Sequence, residues 1–462
     1  MAVRVVILAA GQGTRMKSKK PKVLHLVAGQ TMLHWVIDAA RNTDFADITV
    51  VVGHGAEEVQ ATLPDDVQSV LQAEQLGTGH AVGVALEQLG DVSKDIVLVL
   101  SGDTPLLTGA TLSRLVALLK RTGSAAALLT AEVDDPTGYG RIIRDGWDRV
   151  VGIIEEQDAS ATERGIEEIN AGIYAFEGAL LGQGLANIGR DNAQGEYYLT
   201  DVIGYLSGRD LSLSGLKVDA EETAGVNSQR QLAQANVTMR TVLAVEWMEK
   251  GVWIQDPSLV FLAADVEIGQ GARLYAGVHL ESGTKVGKGA SVGPDVFASG
   301  SVIGKNARVW YSVLRDAVVG EGAEVGPYAS LRPGAVLGPR SKVGTFVELK
   351  NTELAEGAKV PHLSYLGDAT VGESANVGAG TITCNYDGVA KHRTDIGKRA
   401  FIGSDTMLVA PVRIGDDAVT GAGSTITRDV PDGSLAVERS QQKEVPGYAS
   451  RLQERRRRKE QT

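Results

Sequence analysis

Cysteine is almost missing from this chain: one residue, Cys384, in 462. An intramolecular disulfide is therefore excluded, and the scarcity of thiols suits a reducing, cytoplasmic setting. No apolar run reaches the roughly 20 residues that a membrane-spanning helix requires. The N-terminal MAVRVVILAAG reads as a short strand entering a glycine turn rather than as a secretory signal. A basic excess is also lacking; the formal net charge of -11 argues against general nucleic-acid binding. The run RRRRK, Arg455 to Lys459, is the exception, and residues 449–462 read as a basic, solvated, disordered tail. None of the seven histidines stands in a His-x-x-x-His arrangement and no Cys-x-x-Cys occurs, which argues against a zinc site. With 462 residues the chain is too long for one ordinary core, so more than one domain is expected.

What is abundant is a pair, a branched aliphatic residue followed by glycine, recurring at six-residue spacing. Ile268-Gly269, Val286-Gly287, Ile303-Gly304, Val319-Gly320, Val325-Gly326, Leu337-Gly338, Val343-Gly344, Ile396-Gly397 and Ile402-Gly403 all fit, and the register runs unbroken from Val319 to Leu349. This is the hexapeptide pattern of a parallel β-helix. Each coil turns one aliphatic side chain inward per face, and no coil buries its share alone, so many must stack. The pattern loosens at 350–370 and again at 384–393, where excursions from the solenoid are expected to project as loops.

The front half reads differently. Val3–Leu8, Ile48–Val52 and Ile96–Leu100 are continuous apolar runs of strand length, separated by amphipathic stretches over Met32–Arg41 and Gly79–Leu89. That alternation predicts a three-layer α/β domain with a mostly parallel, Rossmann-like sheet, whose ligands gather beyond the strand C-termini. Gln229 to Glu249 keeps helical spacing and reads as a linker helix. The expected division is 1–227, a linker at 228–252, a β-helix over 253–448 and the tail.

LAAGQGTRM, Leu8 to Met16, follows the first strand directly. Glycines there let backbone N–H groups approach phosphate, but no Gly-Lys-Ser/Thr closes a Walker loop and no third glycine completes a dinucleotide fingerprint. Arg15 and Lys22 add cations. With Pro21-Lys22, the stretch resembles the G-x-G-T-R-M…P-K motif of the sugar-nucleotidyltransferase family. LQAEQLGTGHA (Leu71 to Ala81), Ser101-Gly102-Asp103, GYGRI (Gly138 to Ile142), Glu155, EIN with Asn170, GEYYLTD (Gly195 to Asp201) and GVN with Asn227 stand in that family's order.

The resemblance implies that Leu8, Ala9, Ala10, Gly11, Arg15, Lys22, Ser101, Gly102 and Asp103 surround the nucleotide, with Gln72, Gly77 and Thr78 on uracil. It implies further that Gly140, Glu155 and Asn170 hold the sugar phosphate and that Asp103 and Asn227 bind Mg²⁺. Family members often carry tyrosine where this chain has Ser101. The implied chemistry is attack by a sugar-1-phosphate oxygen on the α-phosphorus of UTP, with pyrophosphate leaving in line. The nucleophile is already anionic, so the obstacle is the meeting of two polyanions, which cations and loop N–H groups relieve.

In the repeats, charged, aromatic and amide side chains cluster instead of scattering: Arg332, Lys350, His362, Tyr365, Asn376, Asn385 and Tyr386. The segment from Lys359 to Gly388 is similar to the acetyltransferase half of the bifunctional bacterial uridyltransferase/acetyltransferase family that makes a cell-envelope precursor. By that resemblance Arg332, Lys350, Tyr365 and Asn376 bind the phosphate and sugar of glucosamine-1-phosphate. Ala379, Asn385, Tyr386, Ser404, Ala422 and Arg439 contact acetyl-CoA. His362 is the expected general base, because the attacking amine must shed a proton and imidazole titrates near neutrality. Glu348 is a candidate to orient it, and Cys384 reads as a small buried filler rather than a nucleophile. Family prisms are left-handed and trimeric with acyl sites between neighbours, so a homotrimer is expected. The rivals are a single-activity pyrophosphorylase with a regulatory prism, and a non-catalytic subunit with degenerate pockets.

Overall fold

The computed structural model describes residues 1–43 and 45–460. The chain forms two compact units, Met1–Leu243 and Ala244–Thr462.

The first unit is built on β1 (Val3–Ala9), β2 (Ala46–Val52), β3 (Gln68–Leu71), β4 (Ile96–Ser101), β5 (Ala126–Glu132), the hairpin β6 (Arg141–Arg144) and β7 (Val150–Ile154), β8 (Glu168–Glu177) and β9 (Leu213–Lys217). The sheet order is β9-β5-β8-β4-β1-β2-β3, with β6 and β7 attached beside β8. All neighbours along the main path run parallel except those of β8, which is antiparallel to both β4 and β5. Strands in mid-sheet have both faces covered, so they read as unbroken Val/Ile/Leu runs; Ile96 to Leu100 is buried throughout. Helices α1 (Met32–Arg41), α2 (Thr78–Leu89) and α3 (Gly109–Thr122) cover the sheet. The Thr31 hydroxyl caps α1 by accepting from the His34 N–H at 3.2 Å. Helix α2 starts at Gly77, whose φ of +112° and close approach to the Tyr197 backbone leave no room for a Cβ.

The expected strands and helices of the front half all form. The helix expected at 229–249 also forms, α4 (Gln229–Glu249). Its residues up to Leu243 belong to the first unit, where Ala235, Met239 and Leu243 pack with Val27, Met32 and Val226.

The second unit is a parallel β-helix with three faces. An 11-stranded sheet forms the first face; a 17-stranded sheet wraps the second and third. Short strands such as Glu324–Val325, Ser330–Leu331 and Val336–Leu337 each supply one face of a coil. Their second residues point inward, and Val325, Leu331, Leu337, Val343 and Leu349 are essentially fully buried. Each such burial contributes roughly 1.5–3 kcal/mol, and only stacking achieves it. The glycine of each repeat lies where coils touch: a Cβ on Gly320 would come 2.5 Å from the Leu337 carbonyl oxygen.

One expectation is corrected here. Residues 350–370 are no projecting loop: the seven-residue strands Glu348–Leu354 and Tyr365–Val371 pair in register from Glu348↔Tyr365 to Leu354↔Val371. Asn351 and Asp368 take positive φ and turn the corner within the ladder. Thr352, fully buried, replaces an inward aliphatic and donates its hydroxyl to the Leu366 carbonyl at 3.0 Å. The hexapeptide spelling lapses while the backbone ladder continues. The second excursion does leave the prism, closed by an antiparallel bridge between Tyr386 and Lys391. Tyr448–Glu460 is a helix of strong helix formers with every residue exposed.

Candidate active sites

Strands β1, β2, β3 and β4 end on the same side of the first sheet, and the segments following β1, β3 and β4 line a cavity of about 490 Å³. Leu8, Ala9, Ala10, Gly11, Lys22, Gln72, Gly77, Thr78, Ser101 and Asp103 all line it. Gly102 lies behind this wall and donates its N–H to the Leu8 carbonyl at 2.9 Å. Asp103 is 7% exposed. Its carboxylate pairs with the Lys22 ammonium and accepts from the Ser101 hydroxyl at 2.7 Å. Lys22 also donates to the Asn227 side-chain oxygen at 2.9 Å. Two oxygen donors from distant chain positions thus converge on one cation. Arg15 sits exposed on the glycine turn and makes no hydrogen bond or ion pair among the described residues.

Gly140, Glu155 and Asn170 come together beside this cavity. The Asn170 N–H donates to the Gly140 carbonyl at 2.9 Å, and a Cβ on Gly140 would lie 3.4 Å from a Glu155 carboxylate oxygen. Glu155 accepts from the Thr200 hydroxyl at 3.1 Å. Burial pushes its carboxyl above the ordinary carboxylate range, and Asp201 and Asp158 push the same way. Burial likewise raises the Tyr139 hydroxyl, on which Asp103 and Arg15 also act, so these two charges reach the residue next to Gly140. Gln12, Gln75, Glu196 and Thr200 also face this region. The sequence reading passed over them although each lies inside a motif it quoted, because nothing in the local spacing shows which side chains of a motif turn toward the cavity.

On the prism, Arg332, Lys350 and Gly367 fall in one file along the edge of the second face, by the registers Leu331↔Leu349 and Lys350↔Gly367. Arg332 donates to Glu348 at 2.8 Å. A Cβ on Gly367 would meet both the Tyr365 hydroxyl and the Asn385 amide, so this glycine lets the two side chains share one spot. The Asp368 carboxylate accepts from Asn351 at 2.7 Å and from Asn385 at 2.6 Å. Lys391, from the excursion, holds the Lys350 amine below its ordinary value, and Arg332 adds to the effect. The sequence reading missed Lys391, which sits in a segment without repeat register.

His362 ends its strand at the edge between the first and second faces. Extending the Lys359↔Asn376 pairing by three residues aligns it with Ala379. Continuing that file, the Asp405 N–H donates to the Ala379 carbonyl at 2.6 Å, and the Gly423 N–H donates to the Ser404 carbonyl at 2.8 Å. Ala422 lies against Gly403, and Arg439 against Gly423. The expected base and most expected acetyl-CoA contacts therefore climb one edge. Tyr386 stands exposed on the excursion, its hydroxyl donating to the Gly388 carbonyl at 2.7 Å.

Glu348 pairs with Arg332, while the exposed His362 imidazole makes no hydrogen bond among the described residues. Asn376 stands on the first face and Tyr365 on the second. Cys384 is half-buried, and burial raises its thiol, in keeping with a filler.

Among the described residues, no group of three or more His, Cys, Asp or Glu could hold a metal, and no helix is long and apolar enough to cross a membrane. Residues 5–163 match the MobA-like NTP transferase domain, and residues 393–428 match the bacterial transferase hexapeptide (six repeats). The chain is 48% identical to the bifunctional protein GlmU of Streptomyces avermitilis, over 97% of this chain and 94% of that protein. It is 49% identical to GlmU of Heliobacterium modesticaldum, over 96% and 97% of the two chains. It is also 49% identical to GlmU of Stutzerimonas stutzeri, over 97% and 99%. Identity at this level over nearly the whole length, embracing both sites, places the chain in the family of the bifunctional protein GlmU.

Proposed function

We propose that the chain catalyses two transfers, acetylation of glucosamine-1-phosphate by acetyl-CoA on the prism and uridylyl transfer from UTP to N-acetylglucosamine-1-phosphate in the first unit. The products are UDP-N-acetylglucosamine and pyrophosphate. The carrying observation is that each compact unit holds its own chemically distinct polar cluster.

In the first unit, a phosphate oxygen of the sugar phosphate attacks the α-phosphorus of UTP. A new P–O bond forms as the bond to pyrophosphate breaks, and no proton need move. Gln72, Gly77 and Thr78 seat the base, while the loop at Ala10 and Gly11 brings backbone N–H groups to phosphate. Lys22 and Arg15 neutralise charge. Gly140, Glu155, Asn170 and Thr200 orient the sugar. Asp103 and Asn227 suit Mg²⁺, because their hard oxygens already converge on a cation. Mg²⁺ would supply neutralisation of the triphosphate when bound.

On the prism, the amine nitrogen of glucosamine-1-phosphate attacks the thioester carbonyl carbon. The C–N bond forms, the C–S bond breaks, and His362 takes the proton that nitrogen sheds. The thiolate of CoA leaves. Arg332, Lys350 and Lys391 bind the phosphate, and Tyr365, Asn376 and Asn385 orient the sugar. Ala379, Tyr386, Ser404, Ala422 and Arg439 seat acetyl-CoA.

The assembly is proposed to be a homotrimer. His362 and Ala379 occupy a convex edge, with Asn376 on one side and Tyr365 on the other. Residues on the two sides of a convex edge diverge, so a closed pocket needs a neighbouring copy. Lower on that edge, Tyr311, Tyr328 and Phe346 follow one another at 5.7 and 5.5 Å between successive ring centres, the last two stacked, and Leu363 continues the line. Their exposure, from 38% at Tyr311 to 61% at Leu363, suits a surface covered by another copy. Both donors, UTP and acetyl-CoA, belong to the cytoplasm, where the enzyme is proposed to act.

Expressing residues 1–250 and 251–462 separately, with assays of pyrophosphate release and CoA release, tests the division of labour. Each activity should follow its own half. Loss of both from soluble, folded halves would refute the assignment.

A further inference from the structure

Gln72 is 3% exposed yet lines the nucleotide cavity, and its amide is held in one sense by two neighbours. Its Nε2 lies 3.1 Å from the Gly77 carbonyl oxygen and 3.0 Å from His80 Nδ1. A carbonyl only accepts, so the atom facing Gly77 must be the NH₂ group; turning the amide over would set two oxygens against each other. With one amide proton on Gly77, the other is directed at His80. His80 Nδ1 then accepts, which places the ring proton of the neutral imidazole on Nε2. Both donors of Gln72 are thereby committed inside the protein. Its Oε1 makes no hydrogen bond among the described residues and is not sealed from solvent, so it faces the cavity as a pure acceptor.

We propose that His80 is a positioning residue for base selection: by accepting from Gln72 it holds that side chain as an acceptor toward the ring edge of the pyrimidine. This rests on the proposed placement of the base against Gln72. Uracil carries an N–H at ring position 3 and satisfies the acceptor. Cytosine presents a lone pair there and meets oxygen with nitrogen, leaving two buried acceptors opposed. A site built on a committed hydrogen bond rejects the analogue that cannot make it far more strongly than an apolar pocket could. His80 stands in the first turn of α2, three residues after Gly77, so one short segment provides both restraints on the amide.

The test uses the full chain and compares kcat/KM for UTP with that for CTP at saturating N-acetylglucosamine-1-phosphate. His80→Leu removes the acceptor and should lower the UTP/CTP ratio roughly 5- to 10-fold, the worth of one neutral hydrogen bond. KM for the sugar phosphate should stay unchanged, which reports that the site is folded. His80→Asn, whose amide oxygen can stand in for Nδ1, should restore most of the ratio. His80→Ala is the second variant should leucine disturb α2. An unchanged ratio in both His80→Leu and His80→Ala overturns the proposal, and so does failure of His80→Asn to recover it. Gln72→Leu separates the two levels. If it leaves the ratio intact, Gln72 does not read the base and the functional placement itself falls. If it collapses the ratio while the His80 variants do not, only the role of His80 falls.

Discussion

Lys391 lies against Lys350 on the prism, two ammonium groups brought together by elements that are not adjacent in the ladder. Like charges held so close lower the proton affinity of Lys350, and Arg332 deepens the effect. An anion placed among the three would relieve that repulsion, which is what supports the proposed phosphate site. Asp368 beside it limits the cost, since its carboxyl is held below the ordinary range by Asn351, Asn385 and the two lysines.

Lys391→Ala should therefore raise KM for glucosamine-1-phosphate by roughly 10- to 100-fold, the range for one charge-assisted hydrogen bond. The pH dependence has a definite sign. Lys350 has a depressed pKa, so it loses its charge at lower pH than an ordinary lysine as pH rises. Binding of glucose-1-phosphate, which has no amine of its own to titrate, should weaken on the alkaline side. In Lys391→Ala that weakening should move to higher pH. Calorimetric titrations across the alkaline range check this; an unmoved profile would show that the two lysines do not interact.

His362→Ala should cut kcat for acetyl transfer by about 10²- to 10⁴-fold, the usual contribution of a general base. Because the side chain is exposed and its ring makes no hydrogen bond among the described residues, the thermal midpoint should hardly move. Uridylyl transfer should be intact. A CoA-release assay beside a pyrophosphate-release assay decides it.

Asp103→Asn removes the charge on which Lys22 and the Ser101 hydroxyl converge. Uridylyl transfer at saturating Mg²⁺ should fall on the order of 10²-fold or more, in line with the loss of one preorganised electrostatic group. Acetyl transfer should persist. Equal uridylyl rates in the two proteins would remove Asp103 from the proposed metal site.

Glu155 supplies a prediction in which stability and function move oppositely. Burial raises its pKa in the folded unit, so the folded state favours the protonated form. Stability linked to this group is fully present below the ordinary carboxylate pKa and declines as pH rises through the raised one. Once ionised, the buried carboxylate is a net cost to folding. Glu155→Gln should raise the thermal midpoint of the first unit while increasing KM for N-acetylglucosamine-1-phosphate. Paired calorimetry and kinetics measure both, and a lowered midpoint would contradict the burial argument.

Gly320→Val should disrupt the prism, since even a Cβ there meets the Leu337 carbonyl oxygen and Gly338 carbonyl carbon at 2.5 and 2.7 Å. Overpacking of this kind costs at least about 1–3 kcal/mol. Circular dichroism melting should show the loss in the second unit's transition, with uridylyl transfer retained.

Much of this was legible along the chain. Val319 to Leu349 spells the inward ladder residue by residue, and Val3–Leu8, Ile48–Val52 and Ile96–Leu100 announce a sheet covered on both faces, because such patterns depend only on the local geometry of strand and coil. The lapse at 350–370 misled, since Thr352 fills an inward position with a satisfied hydroxyl and the ladder needs backbone, not spelling, to continue.

By itself the sequence determined the prism, the mostly parallel sheet and the motifs in which Gln72, Asp103, Glu155 and His362 stand. Only the tertiary structure decided who faces whom. Lys22 meets Asn227 across 205 positions, Glu348 turns to Arg332 instead of His362, Lys391 joins Lys350, and Asn376 stands on a different face from Tyr365. Periodicity is set by neighbours a few residues apart, whereas these meetings depend on where distant strand ends and coil edges converge, which no local pattern records.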